Sequence, residues 1–159
     1  MAARPDRGGR FGRLIRAGAA LAALAVMLAV LSAQGVGRVQ AERPLKVVVH
    51  VNFAQTAHQK AGLANIENIL KTAGAQDVKA EVEVVCHGEG IRLVEKARSE
   101  LAGEVAALAN QGVRFVACEN TMRQRSLGLE DLLPGMATVP SGAYEVVHKQ
   151  QEGYAYFKP

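Results

Sequence analysis

From Leu45 onward the chain alternates two kinds of hydrophobic spacing, and each change of spacing marks a new element. Residues 45–53 (LKVVVHVNF) form a β-branched run just after Pro44, which reads as a buried strand. Thr56-Ala-His-Gln59 then matches a capping box. Leu63, Ile66, Ile69 and Leu70 follow on one helical face, with Gly74 placed to end the helix. Residues 78–86 (VKAEVEVVC) open with alternating acids and close in solid valine, as a second strand. His87-Gly-Glu-Gly90 makes a tight turn. Residues 91–110 carry a helical pattern with Gly103 as a break, and after Gly112 residues 113–118 form the third strand.

The same punctuation continues to the end. Thr121-Met-Arg-Gln124 is a second capping box, opening a short helix that Gly128 closes. Leu132-Leu-Pro-Gly135 is a turn, and residues 138–140 make a short fourth strand. Ser141 caps a helix through about Gln151, and Gly153 releases residues 154–157 as the last strand. This alternation predicts an α/β fold: an open, mainly parallel sheet with helices on both faces.

The first forty residues follow a different rule. Residues 1–16 hold Arg4, Arg7, Arg10, Arg13 and Arg16 against Asp6, and residues 17–33 carry no charge. A basic segment, an apolar segment and small residues at its end are the pattern of an export signal peptide. Residues 1–41 are read as that leader, cut after Ala41 or after Ala33, and residues 42–159 as a single domain. An uncleaved leader would be a membrane anchor, but its seventeen uncharged residues stand at the short end of a bilayer span and are rich in alanine. The expected location is therefore periplasmic or secreted.

Removing the leader changes the charge picture. The whole chain has 19 basic and 15 acidic residues, net +4. The leader takes six arginines and one aspartate with it, which leaves 13 against 14, net −1. The basic character thus belongs to the leader, and neither nucleic acid nor an anionic membrane is implied as a partner. Two cysteines are too few for a disulfide framework.

Candidate chemistry gathers at the carboxyl ends of the predicted strands, where open α/β sheets bind ligands. His50 and Asn52 fall at the first strand, Cys86 and His87 at the second, Cys118 and Asn120 at the third. A thiol just before a helix start feels free backbone amides, which favour the reactive thiolate. Cys118 is so placed, although packing would also explain a buried free cysteine there. Cys86 occupies the equivalent place on the second strand. If those strands are neighbours the two thiols can bridge; resolving thiol, structural disulfide and spectator stay open. His50 in an apolar run reads first as a core histidine, whereas His87 beside two glycines could stand against a ligand. His58 has no ligand partner at helical spacing, and no Cys-x-x-Cys supports a metal. No phosphate loop, Gly-x-Ser-x-Gly or spaced carboxylate pair appears, and no cofactor is expected.

The segments "KVVVHVN", "VEVVCHGEGIRLV", "GVRFVACENTM" and "DLLPGMATVPSGAYEVVHKQQEGYAYFKP" resemble the DsrE/DsrF-like proteins of sulfur metabolism, in their small stand-alone branch. The resemblance runs from about Leu45 to Pro159. It implies a three-layer α/β/α fold with a five-stranded, mostly parallel sheet, assembled as homo-trimers or homo-hexamers. It further implies sulfane sulfur carried as a persulfide on the cysteine after the third strand, here Cys118, and passed between donor and acceptor proteins. His50, Asn52, His87 and Asn120 would line the pocket. Two departures stand out. The relay members are cytoplasmic, and Cys86 replaces the small non-thiol residue expected in this branch. Three readings follow: a sulfur carrier on Cys118, a binding or assembly module without catalysis, and a thiol-redox protein using Cys86 with Cys118.

Overall fold

The structure, a computed structural model, describes residues 43–159, so the leader and its cleavage point lie outside the described residues. Strands β1 (Leu45–Val51), β2 (Ala80–Cys86), β3 (Arg114–Cys118), β4 (Ala137–Val139) and β5 (Ala155–Phe157) build one five-stranded sheet. Its order is β4-β3-β2-β1-β5 and every pairing is parallel. Helices α1 (Thr56–Ala75), α2 (Ala102–Asn110), α3 (Glu119–Gln124) and α4 (Gly142–Gln151) connect the strands, with 3-10 turns at Gly88–Leu93 and Leu129–Asp131.

The order explains the layers. From β1 to β4 each strand is added on the same side of its predecessor, so right-handed crossovers keep their helices on one face. Leu63 and Ile66 of α1, Val105 and Leu108 of α2 and Met122 of α3 accordingly share one cluster with Val47, Val49 and Val84. The chain then returns past β1 to reach β5. A right-handed crossover travelling in reverse must cross the other face, and α4 does so: Val146 packs on Val48, Val85, Val116 and Val139. The α/β fold with helices on both faces is therefore as expected, but the layers are unequal. Among the described residues, no helix is long and apolar enough to cross a membrane.

Three local expectations are corrected. Residues 91–110 are not one helix. Residues 94–96 are tied to the 131–133 loop through Leu133 N–H to Val94 O (2.9 Å) and Lys96 N–H to Asp131 O (2.8 Å), so α2 starts only at Ala102 and Gly103 lies inside it. The first capping box does not form. Thr56 donates instead to the Glu100 carboxylate (3.0 Å), and the Gln59 amide donates to Phe53 O (2.8 Å). The second is pre-empted because α3 begins directly at Glu119, which leaves Thr121 free for another task. Ser141 does cap α4, its hydroxyl oxygen accepting from Tyr144 N–H.

Candidate functional site

Side chains alternate between the faces of a strand, so register decides which ones can meet. His50 lies beside Val85, Tyr156 beside Val48 and Cys118 beside Val139, all on the face that α4 covers. Cys86 lies beside Ala117, and both belong to the opposite cluster. Strand order alone would let Cys86 and Cys118 bridge, since β2 and β3 are neighbours. Register does not: the two thiols are free and on opposite faces. Cys86 is 0 % exposed, and burial pushes its thiol up to about 12. In this structure the Cys86 side chain is turned away from Cys118 into the opposite layer. Cys86 is core.

Cys118 is also buried, at 4 % exposure, but its surroundings are polar. Burial raises its pKa. The backbone N–H of Gly142, the hydroxyl and N–H of Thr121 and the N–H of Asn120 outweigh it, and the thiol ends below its ordinary value. These donors come from the first turns of two helices, α3 and α4. The Thr121 hydroxyl has one hydrogen, and its oxygen already accepts from Gly88 N–H (3.0 Å), so that hydrogen is left for the sulfur. Gly88 adopts φ +54°, a backbone setting that suits glycine, to aim that N–H.

Gly142 is what lets α4 approach. A Cβ added there would sit 3.2 Å from Cys118 Cβ and 2.9 Å from His87 Cβ, so the two residues flank the same point of the backbone. His87 in turn meets His50, Nε2 to Nε2 at 2.6 Å, with the rings stacked 4.8 Å apart. His50 Nδ1 lies 2.8 Å from the Tyr156 hydroxyl. Burial, the neighbouring His87 and Lys158 lower His50 to about 4, and burial with Lys158 lowers His87. Both imidazoles are therefore neutral at pH 7.

Of the expected pocket residues, His50 and His87 stand together, and His87 shares the close approach of Gly142 with Cys118. Asn120 serves through its backbone N–H, while its exposed side chain accepts from Arg123. Asn52 contributes main chain, its carbonyl oxygen packing against the 88–90 turn. His58 is exposed and packs edge-on to Phe53, away from the site. Sequence reasoning missed Thr121, Gly142 and Tyr156. A helix-start glycine after Ser141 was a signal for the second, but nothing local places β5 beside β1. Among the described residues, no three His, Cys, Asp or Glu side chains group as metal ligands.

Two expected outcomes follow from this geometry. Thr121→Val removes one donor from the sulfur, so the pH midpoint of Cys118 alkylation should rise relative to wild type. It also strands Gly88 N–H, at a cost of about 1–2 kcal/mol in denaturant unfolding. For His50, a folded pKa below the unfolded one means the unfolded chain binds more protons between about pH 6.5 and 4. Stability should therefore fall as pH drops through that window. His50→Gln should flatten the fall in urea midpoint between pH 7 and pH 5.

Comparison with known proteins agrees with this architecture. The family model described as DsrE/DsrF-like family matches residues 46–159, and the chain belongs to that family. The solved structure of a protein of unknown function, MTH1491 from Methanobacterium thermoautotrophicum, is similar at 34 % identity with a TM-score of 0.65. The match covers 71 % of this chain and 97 % of that one. No curated protein matches the chain significantly.

Proposed function

We propose that this member of the DsrE/DsrF-like family is an exported sulfur carrier that holds sulfane sulfur as a persulfide on Cys118. The observation that carries the reading is the set of donors from two helix starts directed at one sulfur, since a thiolate is the form that attacks sulfane sulfur. Family membership supports sulfur relay in general. The leader pattern supports work outside the cytoplasm, and exposed Tyr144 and Val147 on α4 support assembly with further copies. The partners are a sulfur donor and a sulfur acceptor.

The loading step balances without an external oxidant. The Cys118 thiolate attacks the outer sulfur of a donor hydropersulfide R–S–SH. A new S–S bond forms, the donor S–S bond breaks, and Cys118–S–SH and R–S⁻ result. Unloading is the same displacement by an acceptor thiolate. The Cys86–Cys118 redox reading has no such support, because the two thiols face apart.

Intact-mass spectrometry after incubation with inorganic polysulfide tests the proposal. The expected result is a gain of about 32 Da, one persulfide sulfur, that maps to Cys118 and is removed by reductant. An unchanged mass would sink the carrier reading and leave a binding or assembly module.

A further inference from the structure

Further along α4 from the thiol, the helix meets the sheet through a second enclosed polar cluster. Gly142, Glu145, Val146 and Lys149 recur at three- and four-residue spacing, so they share the face that α4 turns to the strands. Gly142 N–H reaches Cys118, Val146 packs on the valines, and Glu145 and Lys149 reach Glu83 of β2. Glu83 stands between Val48 and Arg114 in the register, which places it under α4. It is 3 % exposed, and the side chain of Glu145 is 14 % exposed. Two carboxyl groups are thus enclosed together.

The donors around them do not suffice. Arg114 donates to Glu83 Oε2 at 2.7 Å. Lys149 donates to Glu152 at 2.9 Å and stands 3.7 Å from Glu83 Oε2 and 3.8 Å from Glu145 Oε1, both too long for a hydrogen bond. Its ammonium also lies over the Tyr154 ring, 5.1 Å from the centroid, with Lys46 5.3 Å from the same ring. From β1 the neighbour is Val48, which carries no charge. Glu83 Oε1 is left buried with no donor among the described residues, and the group that faces Glu83 is the Glu145 carboxyl. Ionised carboxylates only accept, so two of them cannot satisfy each other. One proton between them can, through an O–H···O bond in an enclosure where a stranded acceptor is costly. Burial and the Glu145 carboxyl accordingly raise the pKa of Glu83, against the pull of Lys149 and Arg114.

We infer that Glu83 and Glu145 share one proton, and that this proton positions α4 against Cys118. The path between the two sites is a single helical turn. Glu145 N–H donates to Ser141 O at 2.9 Å, and Gly142, whose N–H serves the sulfur, lies inside that turn. Loss of the proton leaves two enclosed carboxylates facing each other, which pushes Glu145 and its turn off the sheet and lengthens the Gly142 bond. Cys118 then keeps the Thr121 and Asn120 donors alone at full strength, and its thiolate is less favoured. Glu83 and Glu145 are positioning residues and touch no reactant. The consequence for sulfur transfer rests on the carrier reading, whereas the hold on α4 does not. The static alternative is an ion-pair cluster with both acids ionised around Lys149 and Arg114, in which nothing links pH to the seat of α4.

Carbon NMR of the glutamate carboxyls, read together with the Gly142 amide across pH, tests the pair. Wild type is expected to show two coupled steps, the upper one above the usual glutamate value of about 4.3, with the Gly142 amide shift following that step. Glu145→Gln replaces the shared proton by an amide that donates at every pH, and should remove the upper step from both signals. His87 also lies beside Gly142, but its step persists in the variant, so the difference isolates the pair. For the thiol, Glu145→Ala takes away the hold on Glu83. The pH midpoint of Cys118 alkylation by iodoacetamide should then rise by roughly half a pH unit, the size of one weakened hydrogen bond, and Glu145→Gln should prevent the rise. Glutamates that titrate independently near the usual value, or a Gly142 amide that ignores the upper step, would overturn the inference. Equal midpoints in the alanine and glutamine variants would do the same. Should Glu145→Gln not fold, Glu83→Gln makes the test from the other side, its amide donating to Glu145 and its carbonyl accepting from Arg114. None of these readouts uses sulfur, so their outcome is independent of the polysulfide result.

Discussion

Cys118→Ser is expected to abolish sulfur uptake outright, whereas Cys86→Ser is expected to keep it and lose stability. A serine at 118 would still receive the N–H groups of Gly142, Thr121 and Asn120, so the fold around α3 and α4 should hold. It cannot accept sulfane sulfur, because a hydroxyl at neutral pH offers no nucleophile comparable to a thiolate. At position 86 the new hydroxyl would be buried among Val84, Ile91 and Phe115 without a built partner. Such burial costs about 1–3 kcal/mol, read as a lower denaturation midpoint. The pair of variants separates chemistry from packing with one set of intact-mass spectra and one set of unfolding curves. Uptake that survives Cys118→Ser and vanishes with Cys86→Ser would reverse the assignment.

Gly90→Ala should be the most damaging glycine-to-alanine change among the described residues. An added Cβ would overlap the Val51 carbonyl and come within 2.8 Å of Asn52 N. These are backbone atoms at the end of β1 and cannot rotate aside as a side chain can. Relief would require separating the 88–90 turn from the strand that carries His50. The expected loss exceeds about 3 kcal/mol, beyond the ordinary range for overpacking. Gly103→Ala is the matched control. It lies in the first turn of α2 with nothing within 4 Å of its added Cβ, and should stabilise by about 0.5–1 kcal/mol. Urea unfolding of the two variants beside wild type measures both. A Gly90→Ala protein as stable as wild type would show that β1 and the turn are not in contact in solution.

The contrast between those glycines indicates how far a one-dimensional reading reaches. In sequence Gly90 closes a tight turn and Gly103 is a candidate helix break, and neither reading says what stands next to the missing Cβ. One is held against the end of β1 and the other faces open space. The same limit affected the capping boxes. Thr56 and Thr121 have the right spacing, but each hydroxyl is engaged by a residue distant in sequence, Glu100 for one and Gly88 for the other. Local hydrogen-bond signatures name groups that need partners. They do not name the partners.

Period-two and period-3.6 patterns placed all five strands within one or two residues, because burial of one face is a property each segment carries on its own. The same reasoning put His50, His87 and Cys118 at one rim of the sheet, since the carboxyl ends of parallel strands must share an edge. Membership of the DsrE/DsrF-like family was legible too, in segments spread from Leu45 to Pro159. Which face each thiol takes was not. Parallel pairing joins segments some thirty residues apart, and a one-residue difference in register moves a side chain through the sheet. Cys86 beside Ala117 and Cys118 beside Val139 is such a difference. The donors around Cys118 and the Tyr156–His50–His87 chain arise in the same way. They exist because the reversed crossover lays α4 over one face and threads β5 beside β1, and that contact is settled by packing across the whole domain rather than within any one segment.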